Sequence, residues 1–243
     1  MNSDKCSPLL KAARPLDDEV HIWYADLDST NLKSDFLASD EEERRSRFKF
    51  DIHRERFSKS RNILRFLLGS YLSQHPTEIR FAYAAKGKPQ LEGFNRLNFN
   101  ISHSDSHFIA AFSTGSEIGV DIEGRRPPRD EAQLVNRFFH EKERVEYSSL
   151  PPELKTQAFY NGWTRKEALI KAHGDGLQIP LDSFQVSLDP RTPCQILSKA
   201  PAFIEKSSSW SLVDISQSSQ EYTAALAAKH ERIITTAHFF DEF

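Results

Sequence analysis

The chain has 243 residues, long for one compact domain and short for two ordinary ones, which most often run to about 100–150 residues. It is 38% hydrophobic and 28% charged, near the soluble globular norm, so a sizeable core is expected. A net charge of −3 argues against nucleic acid as the main partner, because neutralising many phosphates needs a basic surface. The two cysteines, Cys6 and Cys194, show neither metal-ligand spacing nor a disulfide framework and fit a reducing compartment. Met1 to Leu10 holds no apolar stretch of signal-peptide length, and no run approaches the roughly 20 apolar residues of a membrane span. A cytoplasmic protein with no membrane contact is expected.

Residues 1–18 are polar and carry Pro8 and Pro15, which suggests a loosely ordered lead-in. From Glu19 to Ala25 the apolar Val20, Ile22 and Tyr24 alternate with His21 and Trp23, which predicts a strand covered on both faces. Ser39 is expected to open a helix, with Glu42 at capping-box spacing and Asp40 to Glu43 at the positive end of the dipole. A second helix is predicted from about Ile52 to Ser73, with Ile63, Leu64, Leu67, Leu68, Tyr71 and Leu72 recurring every three or four residues. Strands are expected over Ile79–Ala84, Leu97–Ile101 and Phe108–Phe112, with a turn at Lys86-Gly87-Lys88-Pro89.

The second half opens on a predicted strand, Ile118–Ile122, followed by a basic stretch from Arg125 to Arg129. Helices are expected over 130–149 and 153–173, the latter closed by Gly174. Strands follow at Phe184–Leu188, Trp210–Ile215 and Tyr222–Ala228. Each half thus runs strand, two helices, short strands, without a strong residue-level repeat. That order predicts an α+β fold of two similar halves, residues 1–117 and 118–243, related by a pseudo-twofold axis with the ligand site in the cleft between them.

Several clusters could carry chemistry. On a strand, Asp121 and Glu123 share a face, and two adjacent carboxylates suit a hard cation such as Mg²⁺. The plainer alternative is a pair of solvated acids. In Trp163-Thr164-Arg165-Lys166-Glu167-Ala168, a helix would put Glu167 and Lys171 on one face. Glu167 could serve as a third carboxylate or as a base, and Lys171 could hold a phosphate; an ordinary surface ion pair is the alternative. Asn100-Ile101-Ser102-His103-Ser104 follows a strand and reads as a polar loop able to hold a phosphate. A Ser-His-Asp hydrolase using Ser102 or Ser104, His103 and Asp121 is disfavoured, since Ser102 and His103 point apart and there is no Gly-x-Ser-x-Gly elbow. Arg54, Arg56, Lys59, Arg61 and Arg65 line the second helix, and Lys86 and Lys88 flank the turn. Neither a Walker loop nor a Rossmann glycine fingerprint is present.

Together, Lys-Gly-Lys-Pro at 86–89, Asn-Ile-Ser-His-Ser at 100–104, Gly-Val-Asp-Ile-Glu at 119–123 and Trp-Thr-Arg-Lys-Glu-Ala at 163–168 with Lys171 resemble the 4′-phosphopantetheinyl transferase superfamily. The length and motif order look like its Sfp-type branch, single chains made of two similar halves, and the likeness covers roughly residues 19–230. It implies transfer of the 4′-phosphopantetheine arm of coenzyme A to a serine of an apo acyl or peptidyl carrier protein, with release of 3′,5′-ADP. It also implies that Asp121, Glu123 and Glu167 bind Mg²⁺, with Glu167 a candidate base. Ligand type alone does not rank Mg²⁺ over Mn²⁺. Lys171 would contact the pyrophosphate, Ser102 and His103 the adenosine 3′-phosphate end, Lys88 the nucleotide, and Arg61 a further phosphate. Arg125, Arg126 and Arg129 are expected to help dock an acidic carrier surface. A monomer is expected, because two halves supply what a dimer otherwise would. The rival readings are a non-catalytic binder of coenzyme A or 3′,5′-ADP and a metal-dependent phosphohydrolase.

Overall fold

A computed structural model of the chain describes residues 14–32, 34–83, 89–93, 96–174, 179–199 and 209–240. Lys86 and Lys88 lie outside the described residues, as does Cys6.

Alternation in β1 (Glu19–Asp26) sends Val20, Ile22 and Tyr24 to one face and Trp23 and Ala25 to the other, and both faces are covered. There follow α1 (Ser39–Ser46), α2 (Asp51–Leu72), a ribbon of β2 (Phe81–Tyr83) and β3 (Pro89–Leu91), then β4 (Leu97–Ser104) and β5 (His107–Thr114). A second round follows the same order with one helix more: β6 (Ile118–Gly124), α3 (Glu131–Phe138), α4 (Glu141–Ser149), α5 (Pro152–His173), a ribbon of β7 (Gln185–Val186) and β8 (Ile196–Ser198), then β9 (Ser211–Asp214) and β10 (Tyr222–Ala228). In each round the first strand pairs antiparallel with the last, and the last with the one before it. The long helices α2 and α5 both have 22 residues. The repeat is therefore one of topology rather than of residues.

The two sheets, β11-β1-β5-β4 and β6-β10-β9, stack face to face. Val20, Ile22, Tyr24, Ile109 and Ala111 meet Ile118, Val120, Ile122, Ala224 and Leu226 in a shared core. On its outer face the first sheet buries Phe99, Phe108 and Phe112 against Ile63, Leu64, Leu67 and Tyr71 of α2. The second sheet carries α5 on its own outer face, and Gly119 lets the helix approach. Gly174 ends α5 at φ 86°, a left-handed C-cap that a residue with a Cβ adopts only under strain.

The last strand, β11 (Ile234–Phe239), falls late in the chain yet pairs parallel with β1 of the first round. It closes the edge of β1 that corresponds to the β6 edge facing β4. The helix-facing positions of β1 are His21, Trp23 and Ala25, with no carboxylate where β6 has Asp121 and Glu123. Among the described residues, β6 is thus the strand of this kind that carries the carboxylates.

Several expectations need correction. The capping position of α1 is Ala38, one residue before Ser39, and it is Glu41 rather than Glu42 that accepts the N–H of residue 38. The helix expected over 130–149 is broken at Phe139, whose backbone is extended and whose ring is buried. His140 then caps α4: its ring accepts from Lys142 N–H, and its own N–H donates to Glu143. Asn100 to Ser104 are not a loop but the end of β4, ordered by the hairpin to β5.

Candidate active site

Asp121 and Glu123 project from β6 toward α5, which carries Glu167 and, one turn later, Lys171 on the same side. The approach is close because residue 119 has no side chain: a Cβ there would stand 2.2 Å from Ala168 O and 2.3 Å from Ala172 N. Lys171 Nζ donates to Asp121 Oδ1 at 2.7 Å, to Ser102 Oγ at 3.0 Å and to Val120 O at 3.2 Å. Ser102 Oγ in turn donates to Asp121 Oδ1 at 2.9 Å. Ser104 Oγ donates to Glu123 Oε2 at 2.7 Å.

Burial raises the pKa of Asp121, and Lys171 and Ser102 offset only part of that rise. Burial likewise raises Glu123, and Asp121 adds to it. Glu167 is raised by burial first and by Asp121 next, with Lys171 opposing. Three mutually repelling, partly desolvated acids are a costly arrangement without a cation. Asp121 Oδ2 is buried and has no hydrogen-bond partner among the described residues. That orphaned carboxylate oxygen fits a hard divalent ion. Among the described residues no three His, Cys, Asp or Glu side chains form a ready-made metal cage.

β4 divides the site. Asn100, Ser102 and Ser104 face β6, whereas His103 lies on the other side of the strand. His103 is exposed, but local desolvation, followed by the charges of Lys171, Arg44 and Arg56, holds its pKa below the usual imidazole value. Arg56 is itself held by Asp28, Nε to Oδ1 at 2.8 Å and Nη2 to Oδ2 at 2.6 Å. The sequence reading did not single out Arg44; no local pattern distinguishes it from Arg45 or Arg47.

The structure does not bring Arg61 into this group. Its guanidinium binds Glu41 Oε1 at 2.5–2.6 Å, while Arg65 Nε takes Glu41 Oε2 at 2.6 Å. Both guanidinium groups lie over the Phe81 ring. Around Glu167, the motif residues serve the fold. Thr164 donates to Tyr160 O, Arg165 holds Ser187 O at 2.6 Å, and Lys166 pairs with Glu143 at 2.8 Å while donating to Leu181 O and Phe184 O. Trp163 stacks on Phe159 in the second core.

A carboxylate cluster with its lysine on one side of β4, and an imidazole on the other, is a donor set suited to a phosphoryl-group transferase. Residues 117–227 match the family described as the 4′-phosphopantetheinyl transferase superfamily, and residues 21–114 match a family described as 4′-phosphopantetheinyl transferase, N-terminal. The chain is 40% identical to the 4′-phosphopantetheinyl transferase HetI of Nostoc sp. over 207 residues, 82% of this chain and 84% of that one. It is 32% identical to the 4′-phosphopantetheinyl transferase Sfp of Bacillus subtilis over 174 residues, 66% of this chain and 75% of that one. A solved holo-(acyl-carrier-protein) synthase of Bacillus anthracis, in complex with CoA (3′,5′-ADP), aligns with 46% of this chain and 93% of its own at 22% identity and a TM-score of 0.38, too slight a likeness to argue from. The chain belongs to the 4′-phosphopantetheinyl transferase superfamily, in its Sfp-type, single-chain branch.

Proposed function

We propose that the protein transfers the 4′-phosphopantetheine arm of coenzyme A to a serine of an apo acyl or peptidyl carrier protein, with Mg²⁺ bound and 3′,5′-ADP released. The observation that supports this most is the two-sided site. Asp121, Glu123 and Lys171 gather on one side of β4 with Glu167 one turn before Lys171 on α5, and His103 lies on the other side of the strand. Coenzyme A has a pyrophosphate and a separate 3′-phosphate, and so fits both loci.

In the reaction, the carrier serine Oγ bonds to the β-phosphorus of the pyrophosphate. The bond from that phosphorus to the bridging oxygen breaks, and the electron pair leaves on 3′,5′-ADP. The serine proton passes to Glu167, directly or through one water. Lys171 turns its donors from Asp121 to the pyrophosphate and stabilises the charge that grows on the leaving group. Asp121, Glu123 and Glu167 would hold a Mg²⁺ ion, whose chemistry is to neutralise charge on the phosphate oxygens; Mn²⁺ takes the same ligand type. His103 takes the 3′-phosphate. The Ser102 hydroxyl faces the carboxylate side. Lys88 is assigned to the nucleotide, and Arg61 to holding α1 on α2 through Glu41.

Residues 1–117 are taken as the coenzyme A-contacting half and 118–243 as the metal-binding and catalytic half. A site drawn from both β4 and β6 of one chain supports a monomer. The cytoplasm is the proposed compartment; no helix among the described residues is long and apolar enough to cross a membrane.

The test is 3′,5′-ADP release with and without an apo carrier. Release that requires both carrier and divalent cation is expected. Release without a carrier would indicate a phosphohydrolase, and coenzyme A binding with no turnover would indicate a binding protein.

A further inference from the structure

β4 and β6 are edge strands of different sheets, and they lie side by side without a backbone ladder. An edge strand presents unpaired N–H and C=O groups that something must satisfy. Here side chains do so, from every second residue of β4. Asn100 Oδ1 accepts Val120 N–H at 2.9 Å. Ser104 Oγ accepts Gly124 N–H at 3.2 Å and donates to Glu123 Oε2 at 2.7 Å. Between them, Ser102 Oγ donates to Asp121 Oδ1. Laddered strands lie about 4.8 Å apart. Here the strands are linked through side chains in place of a ladder.

Ser104 is the informative member of this seam. Its one hydroxyl joins the backbone of residue 124 to the carboxylate of residue 123, so it ties the Glu123 side chain to the end of its own strand. Among the described residues, the hydrogen bond from Ser104 is the one that fixes the Glu123 carboxylate. Half-burial of Ser104 leaves room for substitution without opening a core cavity.

We propose that Ser104 is a positioning residue: it fixes the Glu123 carboxylate for the divalent cation, and with Asn100 it splints the catalytic strand β6 to the opposite sheet. The inference rests on the proposed function only in taking Glu123 as a cation ligand. Partners that orient a ligand typically change metal affinity by about 10–100-fold when removed.

The test uses the full-length chain and Mn²⁺ as the probe, with free Mn²⁺ read by electron paramagnetic resonance in the presence of coenzyme A. Ser104→Ala should weaken Mn²⁺ binding by about tenfold or more. Coenzyme A affinity in metal-free buffer should stay within about twofold of the parent, a split that general loosening of the fold would not produce. Ser104→Thr, which keeps the hydroxyl, should restore Mn²⁺ affinity. Amide exchange at Gly124 should quicken in Ser104→Ala and not in Ser104→Thr, showing that the seam itself was cut. Parent-like Mn²⁺ affinity in Ser104→Ala, or equal loss of Mn²⁺ and coenzyme A affinity, would overturn the inference. Parent Mn²⁺ affinity unmoved by Asp121→Ala would overturn the metal reading itself, and this inference with it.

Discussion

Gly119 and Ala168 meet backbone to backbone: a Cβ on residue 119 would lie 2.2 Å from the Ala168 carbonyl oxygen. This contact sets the distance between the strand that carries Asp121 and Glu123 and the helix that carries Glu167 and Lys171. Gly119→Ala must push α5 away, because the clashing atoms are backbone on both sides. Overpacking of this kind costs about 1–3 kcal/mol. The expected result is a folded but less stable protein by urea titration, with kcat lowered by more than the coenzyme A KM is raised. Parent-like kcat in a destabilised Gly119→Ala would show that the spacing is not critical.

Glu143 and Lys166 form a fully buried ion pair that also satisfies Val186 N–H, His140 N–H and the carbonyls of Leu181 and Phe184. Removing one partner leaves the other charge buried and uncompensated, at about 3–5 kcal/mol. Lys166→Met should therefore destabilise strongly, and adding Glu143→Gln should recover part of the loss. A double-mutant cycle in chemical denaturation measures the coupling; additive effects would contradict it.

Glu167 gives a pH prediction whose sign is fixed by its raised pKa. Below the unfolded value of about 4.5 the carboxyl is protonated in both states and does not affect stability. As pH rises through the higher folded pKa, the folded state must ionise a desolvated group beside Asp121 and loses stability. In EDTA buffer, Glu167→Gln should thus be more stable than the parent at pH 7.5, with the gap closing as pH falls below 4.5. Thermal melts across that range test it. A gap independent of pH would contradict the electrostatic account. In turnover, Glu167→Gln should lower kcat far more than it weakens coenzyme A binding.

Arg126 is 71% exposed beside the end of the catalytic strand, and Arg129 is exposed as well. Arg125 is more committed, with Nε on Thr223 Oγ1 at 2.8 Å. Docking of an acidic carrier should therefore depend on Arg126 and Arg129 more than on Arg125. Exposed charges contribute up to about 1 kcal/mol each, or about fivefold. Arg126→Glu with Arg129→Glu should raise carrier KM, less so at high salt, while coenzyme A KM is unchanged. Carrier KM unaffected at low salt would remove this surface from the account.

The strands and long helices were legible because their periodicity is local: β1, α2 and β6 each show it within one turn or one pleat. The break at Phe139 was not, since it depends on how deeply that ring is buried in a core assembled from distant residues. The parallel strand β11 was missed for a similar reason: Ile234 to Phe239 alternates only weakly, and its partner β1 lies more than 200 residues away. Within the site, strand spacing paired Asp121 with Glu123 and helix spacing paired Glu167 with Lys171, and the resemblance to the family joined the two pairs. Arg61 was given a phosphate by the resemblance alone; helix periodicity does not show that the buried Glu41 of another helix lies against it. Ser104 was visible only as part of a motif; its bond to Glu123 spans two sheets.

The most direct test of the central claim is intact-mass spectrometry of an apo carrier protein after incubation with this protein, coenzyme A and Mg²⁺, with an EDTA control. The account predicts a mass gain of one phosphopantetheine arm on the carrier, abolished by EDTA and by Asp121→Ala. No gain on fatty-acid, polyketide and peptide carriers alike, from protein that is folded and binds coenzyme A, would contradict it.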